Sequence, residues 1–589
     1  MRVCGQGEGA AFAAGCKSGD VQDELCAGSV HLHGAQIERP CVRSSDTPNI
    51  TRMSIDSSNP ETSSGRSAAP FRPLQPARQL LAQKQYREAY AYCRNALNQD
   101  PDCADAFFLL GILNYEHNEF ERALKLFERA LEKGHPEPGA HVQAARCYAR
   151  LTLPVQALEH IEAAKKQQPS DSFTLASIGA TLSTLDRHEE AIVFHRKAAA
   201  VSPHDPTILF NLGSSLQFIG DFEGAKHAYR DCLKAAPQHI PARVYLAMIT
   251  KHTSDQNDLQ GLETAWQQRH PRDVEGGLQL AHAIAKAHED LDSPEAAMGW
   301  LDRGKALVRQ SVPSRRAVDT ASYDAAGQLC GRLNVGSEAQ AGGPIFIAGL
   351  PRTGTTLVDR IISSHSGVVS AGERPEFGAA LNRAAGNTGR DMLEADTIRM
   401  AGEVDLATVG QAYLKSVQGI LGGPQRFTDK MPINAFYVPA ILSALPDARV
   451  ICLRRHPADS VLSMYRQLFA LSALHYRCSH SLEDLAHYVV RFHGLVDAYA
   501  RTLPSSRFTI LDYESLVEAP EAETRRLLEF SGLDFEQACL EFQDNSAPVA
   551  TASVAQVRQP MYRFAVGRWQ RYQAQLEPAL EILRESGRL

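Results

Sequence analysis

The same small residue returns every 34 positions between residues 89 and 225: Ala89, Ala123, Ala157, Ala191 and Ala225. Gly111, Ala145, Gly179 and Gly213 keep that step, and so do Pro169, Pro203 and Pro237. Pro101 stands two steps before Pro169, with His135 and Pro136 in the slot between. Such a period accommodates two antiparallel helices and their turns. A unit of that size cannot bury its apolar face alone, so neighbours must stack. The small residues mark where paired helices approach most closely, and a larger side chain there would overpack the contact at a cost of about 1–3 kcal/mol. The proline ends the second helix, because its ring and missing N–H prevent continuation. Tyr86, Phe120 and Phe222 precede the recurring alanine and fill the inter-helix space, with Pro154 and His188 in the third and fourth units. Five copies exceed the minimum of about three for a continuous core.

This pattern, read over residues 75–250, resembles the tetratricopeptide repeat. Such arrays present a concave surface to peptides or partner proteins. A rigid spacer or a dimerisation element is equally compatible, and no residue names a ligand. Residues 251–340 lose the register but keep helical spacing, notably over Gly276–Asp290 and Pro294–Val308, and are expected to be a helical connector. The Ala-Gly-Gly run at 341–343 marks the expected boundary to a last domain, 341–589.

Composition narrows the class. A chain of 589 residues, 44% hydrophobic, is too long for one compact core and too apolar for a disordered protein. The net charge of −7 argues against a general nucleic-acid binder. With no uninterrupted apolar run of about 18 residues, a membrane-spanning helix is not expected. Twelve scattered cysteines without a C-x-x-C pair read as reduced thiols in a cytoplasmic protein. Residues 1–74 are rich in Gly, Ser, Ala, Thr and Pro and read as a flexible tail; a start at Met53 is the alternative. The apolar Ala10–Ala14 piece is too short for a signal-peptide core, so the glycosylation pattern Asn49-Ile-Thr51 reads as chance.

From residue 344 the register changes. Pro344–Leu350 is a short apolar run rich in β-formers, Pro351-Arg352-Thr353-Gly354-Thr355-Thr356-Leu357 follows, and Val358, Ile361 and Ile362 mark a helix. Strand, glycine-containing turn and helix present a phosphate group to backbone N–H donors at a helix N-terminus. Arg352 adds a planar fork suited to oxyanions, and the threonine hydroxyls add donors. Gly349 and Gly354 have the spacing of the nucleotide-hydrolase loop, but Thr355 replaces its lysine. That disfavours ATP or GTP hydrolysis. A second strand, Arg449–Arg454, leads to Arg455, with Ser463 eight residues on in the next helix. These two side chains are candidates to converge on a second phosphate.

Taken in order, Pro351–Leu357, Asp429-Lys430-x-Pro432 and Arg455…Ser463 resemble the sulfotransferases that use 3′-phosphoadenosine 5′-phosphosulfate (PAPS). The likeness is to the tyrosylprotein sulfotransferase branch, with tetratricopeptide repeats fused in front. It implies an α/β P-loop-type domain with a mostly parallel central sheet behind an all-α solenoid. It further implies that Arg352, Thr353, Gly354, Thr355 and Thr356 hold the 5′-phosphosulfate, that Arg455 and Ser463 hold the 3′-phosphate, and that Tyr513 lies near the nucleotide. The branch places its general base 21 residues after the loop arginine, which lands on Glu373. Its lysine corresponds to Lys430, and a C-terminal serine to Ser553, with Thr551 as a rival. The branch has consecutive glutamates, whereas Gly372 and Arg374 flank Glu373 here, and Asp-Lys-Met-Pro replaces Lys-Asp-Pro. Both departures bear on whether the acceptor is a peptide tyrosine.

The implied reaction moves a sulfuryl group from PAPS to a hydroxyl on a protein, carbohydrate or small molecule, releasing adenosine 3′,5′-bisphosphate and requiring no metal. Positioning and charge stabilisation do most of the work in such a transfer. Two other readings stay open: a P-loop nucleotide kinase, and a non-catalytic repeat adaptor carrying a relic α/β domain. His365, His456 and the cluster Tyr562, Trp569 and Tyr572 are expected to be structural.

Overall fold

A computed structural model describes residues 74–136, 138–340, 342–387, 393–545, 547, 557, 561 and 563–589. The first ten helices fall into five antiparallel pairs: α1 (Gln75–Ala82) with α2 (Tyr86–Gln99), α3 (Ala104–Glu116) with α4 (Phe120–Glu132), α5 (Pro138–Arg150) with α6 (Pro154–Lys166), α7 (Ser172–Thr184) with α8 (His188–Val201), and α9 (Pro206–Ile219) with α10 (Phe222–Ala235). The recurring alanines have no exposed surface, which places all five at the helix–helix contact. In three of the five pairs the second small position faces a ring four residues beyond the alanine: Phe127, His195 and Tyr229. A Cβ added at Gly111, Gly179 or Gly213 would lie 2.6 Å from Phe127, 2.7 Å from His195 or 2.6 Å from Tyr229. These three pairs thus interlock glycine against ring, and their register follows from that fit.

Beyond them run α11 (Ile240–Ile249), α12 (Leu259–Gln268), α13 (Val274–Asp290), α14 (Pro294–Ser311) and α15 (Arg316–Gln328). Leu301 of α14 and Tyr323 of α15 share one apolar core with Phe346 and Val450 of the sheet that follows. The sequence boundary at 341–343 is therefore not a boundary in packing. None of the described helices is long and apolar enough to cross a membrane.

Among the described residues the sheet has five parallel strands: β1 (Ile345–Gly349), β2 (Val369–Ser370), β3 (Phe427–Asp429), β4 (Arg449–Arg454) and β5 (Phe508–Asp512), in the order β2-β3-β1-β4-β5. Parallel strands covered on both faces read as continuous apolar runs, and β1 is buried at every position. Its residues alternate between two layers. Ile345 and Ile347 pack with Val358, Ile361 and Ile362 of α16 (Thr355–Ser363), whereas Phe346 and Ala348 face the layer that contains α15. Gly349 pairs with Leu453, so the carboxyl ends of β1 and β4 lie side by side. The chain leaves β1 toward β2 on one flank and leaves β4 toward β5 on the other. Ligands of open α/β sheets bind where two neighbouring strands part company in this way.

The remaining α-helices among the described residues are α17 (Glu376–Ala384), α18 (Ala395–Met400), α19 (Leu406–Leu421), α20 (Val438–Ala444), α21 (Pro457–Tyr465), α22 (Leu482–Thr502), α23 (Tyr513–Glu518), α24 (Pro520–Ser531) and α25 (Gln573–Glu585).

Candidate active site

The turn after β1 is built for close approach. Arg352 takes φ +67° and Gly354 φ +104°. Left-handed backbone costs a non-glycine residue roughly 1 kcal/mol or more and persists where neighbours hold it. The neighbours here are identifiable. Thr353 Oγ1 donates to the Leu350 carbonyl at 2.7 Å, closing the turn on itself. A Cβ at Gly354 would meet Tyr513 Cδ2 at 2.7 Å, so only glycine lets the ring in. α16 begins after Gly354, which has no capping side chain, and a helix N-terminus turns its first N–H groups toward an anion. Thr355 and Thr356 open that helix and are both buried.

Arg455 reaches the same turn from β4. Its Nη1 donates to the Arg352 carbonyl at 3.0 Å and to Ser463 Oγ at 3.1 Å, and its Nη2 donates to the Ala565 carbonyl. The guanidinium lies 4.8 Å from the centre of the Tyr513 ring, a cation–π contact. Arg455 Nε is buried with no hydrogen-bond partner, a donor left over for an oxyanion. Asp459 of α21 accepts from the Gly567 and Trp569 N–H groups at 2.7 and 2.9 Å and so pins the C-terminal turn that carries Ala565. Arg352, Thr353, Gly354, Arg455, Ser463 and Tyr513 thus share one crevice between β1 and β4.

Glu373 and Lys430 follow the neighbouring strands β2 and β3. Lys430 Nζ is paired with Glu373 Oε1, and Lys430 is 1% exposed. The main chain fixes the two segments together: Ala371 N–H donates to the Thr428 carbonyl at 2.8 Å and Lys430 N–H to the Gly372 carbonyl at 2.9 Å. Asp359 of α16 accepts from Ser370 Oγ at 2.8 Å and from Thr428 Oγ1, tying both strand ends to the helix that begins at the β1 turn. Burial raises the Asp359 pKa despite those hydroxyls. Ser553 and its rival Thr551 lie outside the described residues.

Several contacts of the site are not legible in the sequence. Asp429 is buried beside Lys430 and accepts from Tyr413 Oη at 2.7 Å; burial pushes its pKa up to about 8. Next to Glu373, Arg374 is 4% exposed and pairs with Asp186, from the turn between α7 and α8, with Glu376 Oε1 at 3.8 Å. Beside the β1 turn an apolar pocket is lined by Leu350, Pro351, Tyr323, Phe436, Tyr476 and Phe492. Burial opposes ionisation of Tyr476, and the Glu373 charge adds to that. Of the aromatic residues near the C-terminus, Trp569 stacks on His456 with 5.6 Å between ring centres, and Tyr572 Oη donates to Glu289 at 3.0 Å. Tyr562 lies outside the described residues.

Residues 344–537 match the model of the sulfotransferase family, and residues 80–141, 115–172 and 206–239 match tetratricopeptide-repeat models. An uncharacterised protein of Aquifex aeolicus is 30% identical over 67% of this chain, which spans about half (52%) of that protein's length. Protein-tyrosine sulfotransferase 2 of Gallus gallus is 23% identical over 38% of this chain and 62% of its own. Among solved structures, the sulfotransferase domain from the curacin biosynthetic pathway is 16% identical, covering 41% of this chain and 99% of its own, with a TM-score of 0.25. The chain therefore carries a sulfotransferase-family domain behind an array of tetratricopeptide repeats.

Proposed function

We propose that the protein transfers a sulfuryl group from PAPS to the phenolic hydroxyl of a tyrosine, with Glu373 as general base. The observation that carries this reading is the Arg455 guanidinium, which touches both the carbonyl of Arg352 and the hydroxyl of Ser463. One crevice then offers donors to both charged ends of the nucleotide: the β1 turn and the α16 N-terminus to the 5′-phosphosulfate, Arg455 and Ser463 to the 3′-phosphate. The Tyr513 ring supports the backbone of that turn.

In this scheme the acceptor oxygen attacks sulfur as Glu373 takes its proton, and the bond from sulfur to the bridging oxygen of the 5′-phosphate breaks. A positioned carboxylate base contributes typically about 10²–10⁴-fold. Negative charge grows on the leaving oxygen, where Lys430 and the loop N–H groups are suited to stabilise it. Before the acceptor binds, the Lys430 pair holds Glu373 in place. The similarity to a protein-tyrosine sulfotransferase favours a phenol over a sugar hydroxyl. The repeat array is suited to hold the polypeptide that bears it.

The test has two arms. Calorimetry with adenosine 3′,5′-bisphosphate should give one site per chain, and labelled PAPS with tyrosine peptides should give a sulfated product without added metal. A protein that binds no bisphosphate, or that sulfates only sugars, overturns the nucleotide or the acceptor assignment respectively.

A further inference from the structure

The edge of the solenoid formed by the turns within its helix pairs lies along the catalytic domain. Val155, at the start of α6, packs so closely on α19 that a Cβ at Gly419 would stand 2.4 Å from it. Phe222, at the start of α10, packs on Val557 of the C-terminal segment. Between them, the turn from α7 to α8 delivers Asp186, whose carboxylate pairs with Arg374. Three successive helix pairs thus make contact, and the middle one does so one residue from Glu373.

The Arg374 pairing is buried and asymmetric. Burial works against the guanidinium charge, but Asp186, then Glu376 and Asp429, outweigh it and raise the Arg374 pKa. Glu376 stands at 3.8 Å, too far for a good hydrogen bond, so Asp186 is the close partner. The segment it grips is a tight one. Gly372 takes φ +77°, its N–H donates to Ser370 Oγ at 3.2 Å, and its carbonyl accepts from Lys430 N–H at 2.9 Å. One end of the Glu373 turn is therefore tied to β3 through the main chain, and the other is tied to the repeat array through Arg374.

We propose that Asp186 is a positioning residue for the transfer reaction: the repeat array, through the Asp186–Arg374 pair, holds the turn that presents Glu373 and so completes the catalytic site. The inference rests on the reading of Glu373 as the base. It gives the array a task beyond holding an acceptor, and it makes activity depend on how the fourth helix pair is seated. A partner that pulls this pair away from the domain would lower turnover without touching the nucleotide.

The experiment compares wild-type full-length protein with Asp186→Asn and Asp186→Glu. It measures kcat, the KM for PAPS, and the affinity for adenosine 3′,5′-bisphosphate. A misplaced base costs up to about 10²-fold in turnover, so Asp186→Asn should lower kcat by at least about 10-fold with bisphosphate affinity within about twofold of wild type. Asp186→Glu, which keeps the charge, should recover most of the loss. The proposal is overturned if Asp186→Asn keeps wild-type kcat. It is also overturned if kcat and bisphosphate affinity fall together, since that is general loss of structure, or if Asp186→Glu is as poor as Asp186→Asn. Failure of the wild-type protein itself to bind the bisphosphate or transfer sulfuryl refutes the underlying reading instead.

Discussion

The Arg455 guanidinium donates to the main-chain carbonyl of Arg352 across 3.0 Å. The two residues are 103 positions apart, yet they emerge from adjacent strands paired through Gly349 and Leu453. The bond makes the β1 turn and the β4 turn one body. An anion bound at one is then held at a set distance from an anion bound at the other, as a nucleotide with phosphates on both sides of its ribose demands.

Arg455→Ala should weaken binding of adenosine 3′,5′-bisphosphate by about 10- to 100-fold, the range for losing a charge-assisted hydrogen bond together with its support of the turn. Arg455→Lys should recover little, because a single ammonium cannot serve Arg352, Ser463 and a phosphate in one plane. Calorimetry checks both, and an unchanged dissociation constant in either would move the 3′-phosphate elsewhere.

Glu373→Gln should lower kcat by at least about 10² while the bisphosphate still binds, as expected for removal of a general base. Lys430→Met should also reduce kcat, since it takes away the group that aims Glu373 and that stands ready for the leaving oxygen. Single-turnover assays with labelled PAPS would expose an error: wild-type turnover in the glutamine variant removes Glu373 as the base.

Gly354→Ala should impair the nucleotide site without disturbing the array. At φ +104° an alanine is strained, and its Cβ would press on Tyr513 at 2.7 Å. The ring must shift, and with it the face on which Arg455 rests. Loss of bisphosphate affinity with retained circular dichroism is the expected pattern. Full affinity would show that the turn relaxes freely.

Asp429 should give folding stability a recognisable pH dependence. Its pKa is pushed up to about 8 by burial, against an ordinary value of about 3.9. Between those values the folded protein keeps a proton that the unfolded chain releases. This contribution is therefore complete below about pH 4 and is lost as pH rises through about 8. Asp429→Asn retains an acceptor for Tyr413 but has no proton to lose. Chemical unfolding at pH 5 and pH 8 should show a smaller difference for the variant, with the variant the more stable of the two proteins at pH 8. Parallel curves would mean that Asp429 does not titrate there.

How far sequence alone reaches is clear from particular residues. The 34-residue step places five helix pairs, because small residues at the helix–helix contact are a local demand that repeats with the unit. The strand Arg449–Arg454 and the turn 351–354 announce themselves through apolar runs, glycine and arginine. Arg455 and Ser463 meet because both sit on one strand–turn–helix segment, where spacing along the chain translates directly into distance.

Other features depend on which distant segments the fold brings together. No periodicity links Asp186 to Arg374, 188 positions away, and nothing in the run Ala-Gly-Glu-Arg says that its arginine answers to a repeat. The Glu373–Lys430 pair needs β2 and β3 side by side, and the raised pKa of Asp429 needs the layers that close over it. Sequence determined the helix pairs, the strands β1 and β4 and the turns that follow them, because these arise from contacts between near neighbours in the chain. Tertiary structure alone decided which charges are buried together, because that depends on how separately formed layers seat against one another.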